Sequence, residues 1–140
     1  MENLELLNQL NMHELKELME NDNMVFDIDN LSEYINTSGA YGWIYRLQNK
    51  PIGFAYGCRL AIPDGTKEIY LHSIDILPEY QGKGHGTNFF ESILSFAREN
   101  RFSKLFLCSS QSLPAARRIY EKFGGFRECQ DEIIFSYLLN

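Results

Sequence analysis

The sequence predicts one α/β domain, residues 1–140, built on a mixed, mostly antiparallel sheet of six or seven strands with about four helices. Three observations lead there. From Tyr41 the apolar period drops to two and holds through two runs joined by a short polar connection, which is the pattern of an antiparallel hairpin. The stretch from residue 68 to 109 reads strand, helix, strand, and such a unit closes as a right-handed parallel crossover. A chain of 140 residues, at roughly 100 to 200 per domain, leaves room for one domain and is long enough to bury an ordinary core.

The elements follow in order. Leu4 to Leu7 is a short strand candidate. Asn11 and Glu14 have the spacing of a capping box, and Leu15, Leu18 and Met19 then share a face, predicting a helix over about 12–21. Asp29 or Asn30 caps a second short helix carrying Leu31, Tyr34 and Ile35, ended by Thr37-Ser38-Gly39. Tyr41, Trp43, Tyr45 and Leu47 alternate with Ile44, Arg46 and Gln48, and after Asn49-Lys50 the second arm runs from Ile52 to Leu60. Pro63-Asp64-Gly65 marks a turn before a third long strand, Glu68 to Leu77. Phe89, Phe90, Ile93, Leu94, Phe96 and Ala97 form a broad helical stripe up to Glu99-Asn100. Leu105 to Cys108 is a short buried strand. Ala116, Ile119, Tyr120 and Phe123 mark the fourth helix, stopped by Gly124-Gly125. Phe126 to Gln130 and Ile133 to Leu139 supply two final strand candidates.

Thirteen Lys and Arg against nineteen Asp and Glu leave a formal charge of −6, a field that repels phosphate backbones and anionic headgroups. Nucleic acid and membrane are therefore not expected partners, and a cationic small molecule or basic peptide is favoured. With no long apolar run and no basic-then-apolar leader, the expected location is the cytoplasm. Cys58, Cys108 and Cys129 form no C-x-x-C pair, so no metal site is predicted. Cys58 and Cys108 read as small core residues.

The densest signal lies at Gln81-Gly82-Lys83-Gly84-His85-Gly86-Thr87, where a strand ends and a helix begins. Glycines there let the chain turn sharply and aim successive N–H groups outward, with the positive end of the helix dipole behind them. Such a loop binds phosphate, and Lys83 adds a charge within reach. A nucleotide P-loop does not fit, because Lys83 sits between glycines instead of after them. The dinucleotide fingerprint fails too, since the spacing is G-x-G-x-G.

The segment resembles the Q/R-x-x-G-x-G/A signature of the GCN5-related N-acetyltransferase (GNAT) superfamily. Upstream, Ile74-Asp75-Ile76-Leu77-Pro78-Glu79-Tyr80 is similar to the end of that family's fourth strand. Downstream, Ala116-x-x-Ile119-Tyr120-Glu121-Lys122-Phe123-Gly124-Gly125-Phe126 is similar to its A-x-x-(aliphatic)-Y-E-K-x-G-F motif. The resemblance covers nearly the whole chain and implies a GNAT-like sheet whose central strands 4 and 5 are parallel and splayed. It implies acetyl-CoA (coenzyme A) as cofactor, with Gln81, Gly82, Lys83, Gly84, His85, Gly86 and Thr87 at the pyrophosphate and the backbone of Ile74 and Ile76 along the pantetheine arm. Two departures stand out: Leu113 occupies a position where the family often has Asn, and the glycine before Phe126 is doubled.

Direct attack of an amine on a thioester requires a base. His72, on strand 4, suits that role because imidazole titrates near neutrality, and the resemblance points to a histidine there in some members. Asp75 is the runner-up, with Glu68 and Tyr70 as further rivals. Strict alternation puts Glu68, Tyr70 and His72 on one side and Asp75 on the other, unless a bulge intervenes, as resembling proteins suggest. Tyr120 matches the family tyrosine that protonates or hydrogen-bonds the leaving thiolate. His13 and His85 read as surface residues. The implied activity is N-acetyl transfer to a primary amine of a small molecule or peptide. The acceptor would be framed by Asp22, Asp27, Asp29, Glu33, Asp64, Asp131 and Glu132, and residues 55–84 bear a loose likeness to aminoglycoside 3-N-acetyltransferases. A non-catalytic acyl-CoA-binding module and a purely structural domain are the alternatives, and a homodimer is left open.

Overall fold

The computed structural model describes residues 1–21, 27–129 and 131–139. They form two compact units, residues 1–109 and 110–140. The first holds β1 (Glu2–Leu6), α1 (Leu15–Asn21), α2 (Ile28–Asn36), β2 (Ala40–Leu47), β3 (Lys50–Ala61), β4 (Lys67–Ile76), α3 (His85–Glu99) and β5 (Lys104–Phe106); the second holds α4 (Pro114–Lys122). The sheet runs β1-β2-β3-β4-β5, antiparallel up to β4 and parallel between β4 and β5. The mixed α/β class is as expected.

The strand count is lower. Among the described residues there are five strands, and neither Phe126 to Gln130, whose last residue lies outside the described ones, nor Ile133 to Leu139 forms one. β5 is therefore the last strand in the order instead of a central one. Apolar content alone made those segments strand candidates, but a strand also needs a neighbour to complete its ladder, and Ile133-Ile134-Phe135 lacks the alternation that fixes a register.

The hairpin turn forms because Gln48 and Asn49 take φ of 49° and 69°, the doubly positive conformation whose twist matches that of the flanking strands. α3 covers one face of the sheet. Phe89 stacks on Tyr45 at 4.7 Å and Phe96 meets Trp43 edge-on at 5.5 Å, in the spacing favoured by aromatic pairs. α1 and α2 cover the other face with Leu15, Leu18, Met19 and Leu31 against Ile44, Phe54 and Leu77.

Two caps differ from expectation. Asn11 does not cap the first helix. Its Oδ1 accepts from Asn8 N–H at 2.8 Å and its Nδ2 donates to Glu5 Oε1 at 2.7 Å, while Glu14 turns to Arg46. A buried guanidinium attracts the carboxylate more strongly than a backbone N–H does. A 3-10 turn at Met12–Glu14 leads into α1 instead. α2 is capped two to three residues earlier than expected, by Asp27, whose Oδ1 accepts from the N–H groups of Asp29 at 2.9 Å and Asn30 at 3.3 Å.

Arg46, only 9 % exposed, ties these elements together. Its Nε donates to Glu5 at 2.8 Å, its Nη1 to Asn49 O at 3.2 Å, and its Nη2 pairs with Glu14. Those hydrogen bonds hold the Glu5 and Glu14 carboxyls below their usual range despite partial burial. In the second unit, α4 ends at Gly124, with φ of 84°, and Gly125 N–H donates to Tyr120 O at 3.0 Å, as a left-handed cap does.

Candidate active site

The site starts from a bulge in β4. Along the β3–β4 ladder Gly57 faces Leu71 but Tyr56 faces Ser73, so His72 is the extra residue. Gly57 makes the close approach feasible, since a Cβ there would lie 2.1 Å from Tyr70 O. The bulge resets the alternation. Residues directly opposite one another share a face, so Asp75 joins Phe54, and Ser73 joins Tyr56, on the α1/α2 side. The simple count that separated Asp75 from Tyr70 and His72 is thus corrected: all three belong to one face.

His72 is exposed and sits in an aromatic row. Its ring stacks on Tyr56 at 5.0 Å and meets Tyr70 edge-on at 5.8 Å, while Tyr56 stacks on Phe54 at 6.0 Å and Tyr70 lies 5.2 Å from Phe106. Burial and the neighbouring Cys108 push the Tyr70 phenol up, so it keeps its proton and is a poor base. Glu68 is no free strand end either, because Lys104 Nζ lies 3.5 Å from its carboxylate. Asp75 Oδ1 accepts from Ile76 N–H at 3.2 Å.

β5 pairs with β4 only from Glu68 to Tyr70. Beyond that, within residues 1–109, β4 has lost its parallel neighbour. Leu77 N–H donates to Ile52 O at 2.8 Å, so by alternation the backbone groups of Ser73 and Asp75 turn toward β3 and those of Ile74 and Ile76 turn into the gap. At Ile76 the carbonyl is already engaged, accepting from Gln81 Nε2 at 2.8 Å. This bond anchors the loop that follows.

In that loop Gly82 and Gly84 adopt φ of 75° and 87°, the left-handed region that disfavours other residues. Gly84 is the N-cap of α3. Among the described residues no acceptor meets the backbone N–H groups of Gly82, Lys83, Gly84, His85, Gly86 or Thr87. Six successive donors at the positive end of a 15-residue helix fit a diphosphate. Lys83 is exposed and its Nζ donates to Glu79 O at 3.1 Å. The His85 side chain is 14 % exposed and pairs with Glu2, which corrects its reading as a surface residue. Burial raises the Glu2 carboxyl, but hydrogen bonds from Asn88, His85 and Tyr45 outweigh it and hold the group below its ordinary value.

Sequence reasoning missed Tyr56, the ring on which His72 rests; it read as one more alternating strand residue. Cys108, past the end of β5, is exposed and Cys58, on β3, is half-buried, so neither is the core residue expected. Tyr120 lies half-buried on α4 in the second unit, and burial raises its phenol. Of the acids expected to frame an acceptor, Asp22 lies outside the described residues. Among the described residues no cluster of three His, Cys, Asp or Glu side chains has metal-binding spacing.

The profile of the Acetyltransferase (GNAT) family matches residues 7–126. The chain belongs to this family. It is similar to the probable N-acetyltransferase san of Drosophila melanogaster, 28 % identical over 122 residues, which are 84 % of this chain and 66 % of that protein; the chain thus spans just under two thirds of that relative. The fold is that of an aminoglycoside acetyltransferase, meta-AAC0020, from an uncultured soil metagenomic sample, solved in complex with sisomicin, with TM-score 0.79, 17 % identity and coverage of 99 % and 97 %. It is also that of aminoglycoside N-acetyltransferase AAC(6')-Iy in complex with CoA, with TM-score 0.77, 14 % identity and coverage of 99 % and 95 %. Within the GNAT family the glycine loop and the parting of β4 from β5 fall in the segment the profile matches.

Proposed function

We propose that this GNAT protein is an N-acetyltransferase that moves the acetyl group of acetyl-CoA to a primary amine by direct attack in a ternary complex. The observation that carries the reading is the row of N–H groups from Gly82 to Thr87 that no described residue engages, beside the gap left by β5. These donors, with Lys83, would hold a diphosphate, and the outward backbone of Ile74 would line the arm that follows it. Bound acetyl-CoA supplies the activated acetyl thioester. The N–H near Ile74 is a donor for a carbonyl oxygen that gains charge.

His72 is the proposed base. It is exposed, it lies on the face that Asp75 shares, and its ring is oriented by Tyr56 and Tyr70. Asp75 would then be an auxiliary acceptor of the same proton through water. Tyr120, its phenol raised by burial, serves a departing thiolate as a hydrogen-bond donor more readily than as an acid, because its proton is held more tightly than a thiol's. The family match crosses the boundary between the two compact units, which supports one acetyltransferase domain over the whole chain. The three cysteines are unpaired, in keeping with a reducing compartment such as the cytoplasm.

The test is acetyl-CoA binding by calorimetry followed by thiol release with a panel of amines. Binding with amine-dependent thiol release is the expected result. Binding without release for any amine would favour a non-catalytic acyl-CoA-binding module, and absence of binding would remove the cofactor assignment.

A further inference from the structure

Resting on that reading, we propose that the acceptor is a small primary monoamine with an apolar, ring-sized body, and that an aminosugar is a poor substrate. The body would occupy the cavity of about 270 Å³ between α1, α2 and the sheet, whose walls include Leu15, Met19, Leu31, Tyr34, Phe54 and Tyr56. The walls are hydrocarbon, thioether and ring faces apart from the side chains of Asn30 and Asp27. The hydroxyl of Tyr34 is already engaged, 2.6 Å from Tyr41 O and 2.9 Å from Gly57 O, and burial pushes that phenol up to about 12.

A polyhydroxylated, polycationic guest would leave several hydroxyls without partners here, each costing on the order of 1–3 kcal/mol. An alkyl or aryl body meets no such penalty and gains from leaving water. Asp27 is the one acid among the described lining residues; of the other acids expected in residues 1–109, Asp29, Glu33 and Asp64 are not among the described walls. Asp27 Oδ1 caps α2, so the described walls offer little to a second ammonium group. Tyr56 is both a wall residue of the cavity and the ring on which His72 stacks, so one ring separates the cavity from the proposed base. A body lodged in the cavity with its amine on the Tyr56 side brings that amine toward His72.

The test uses the full chain with saturating acetyl-CoA and follows thiol release with phenylethylamine, hexylamine, spermidine and sisomicin. The expected kcat/KM for phenylethylamine exceeds that for sisomicin by at least about tenfold, the scale on which apolar pockets discriminate. Leu31→Phe, which adds bulk at the wall, raises the phenylethylamine KM about tenfold with the acetyl-CoA Kd unchanged. Met19→Phe, which adds bulk at another wall of the cavity, raises the KM for phenylethylamine severalfold, so the prediction stands on a second variant should Leu31→Phe misfold. Preference for sisomicin or spermidine, or a phenylethylamine KM indifferent to both variants, overturns the proposal while leaving the transferase reading intact. Absence of acetyl-CoA binding overturns both.

Discussion

The two faces of the sheet are built differently. On the α3 face, Phe89 and Ile93 are fully buried, Trp43 and Tyr45 nearly so, and rings fill the layer in stacked and edge-on pairs. On the α1/α2 face, rings of similar type line a cavity and end in an exposed histidine. Close packing gives stability, and each lost methylene is felt. A face that keeps open volume forgoes some of that stability and gains a place for a guest. The lesson is that aromatic richness alone does not separate core from site; what separates them is whether a second layer fills the space.

Substitutions can break or sharpen this contrast. His72→Ala should lower kcat/KM by about 10²–10⁴-fold and remove the acidic limb of the pH–rate profile, while unfolding free energy moves by less than about 1 kcal/mol because the side chain is exposed. An unchanged pH profile would move the base role to Asp75. Phe89→Ala should do the reverse, costing about 3–5 kcal/mol in urea unfolding with the folded fraction still binding acetyl-CoA. Gly84→Ala places a Cβ in open space but at positive φ, so it should cost about 1–2 kcal/mol and weaken acetyl-CoA binding severalfold.

Acid should loosen the seam between β1, β2 and the turn before α1. The Glu5 and Glu14 carboxyls are lowered from 4.5 by Arg46. Their contribution is therefore present above that value and lost as pH falls through the lower native ones. Wild type should lose stability below about pH 4.5 more steeply than Arg46→Met, compared by thermal melts from pH 6 to pH 3; parallel curves would deny the linkage. Tyr120→Phe should lower kcat by about tenfold to a hundredfold, since a hydrogen-bond donor to charge is worth about 1.5–3 kcal/mol.

Much of this was legible in the residues. The hairpin, the long β4, the glycine loop and α3 follow from local signals: a two-residue period broken by a short polar connection, and a glycine cluster before an apolar stripe; the turn itself falls one residue earlier than expected, at Gln48-Asn49. The bulge at His72 was not legible from alternation, because an extra residue leaves no mark in composition, and it decides which side Asp75 takes. Asn11 misled because its capping spacing is real but a buried Arg46 competes for Glu14. The final strands misled because apolar content does not supply a partner. The cavity beside Tyr56 depends on how α1 and α2 sit, which no single segment encodes.

The central claim is that the Gly82–Thr87 amides receive a diphosphate. Amide chemical shifts of the ¹⁵N-labelled chain, followed while CoA is added, test it most directly. The largest shifts are predicted at Gly82, Gly84, Gly86 and Thr87, with smaller ones at Ile74. Saturating CoA that leaves those amides unmoved, or moves others instead, would contradict the account.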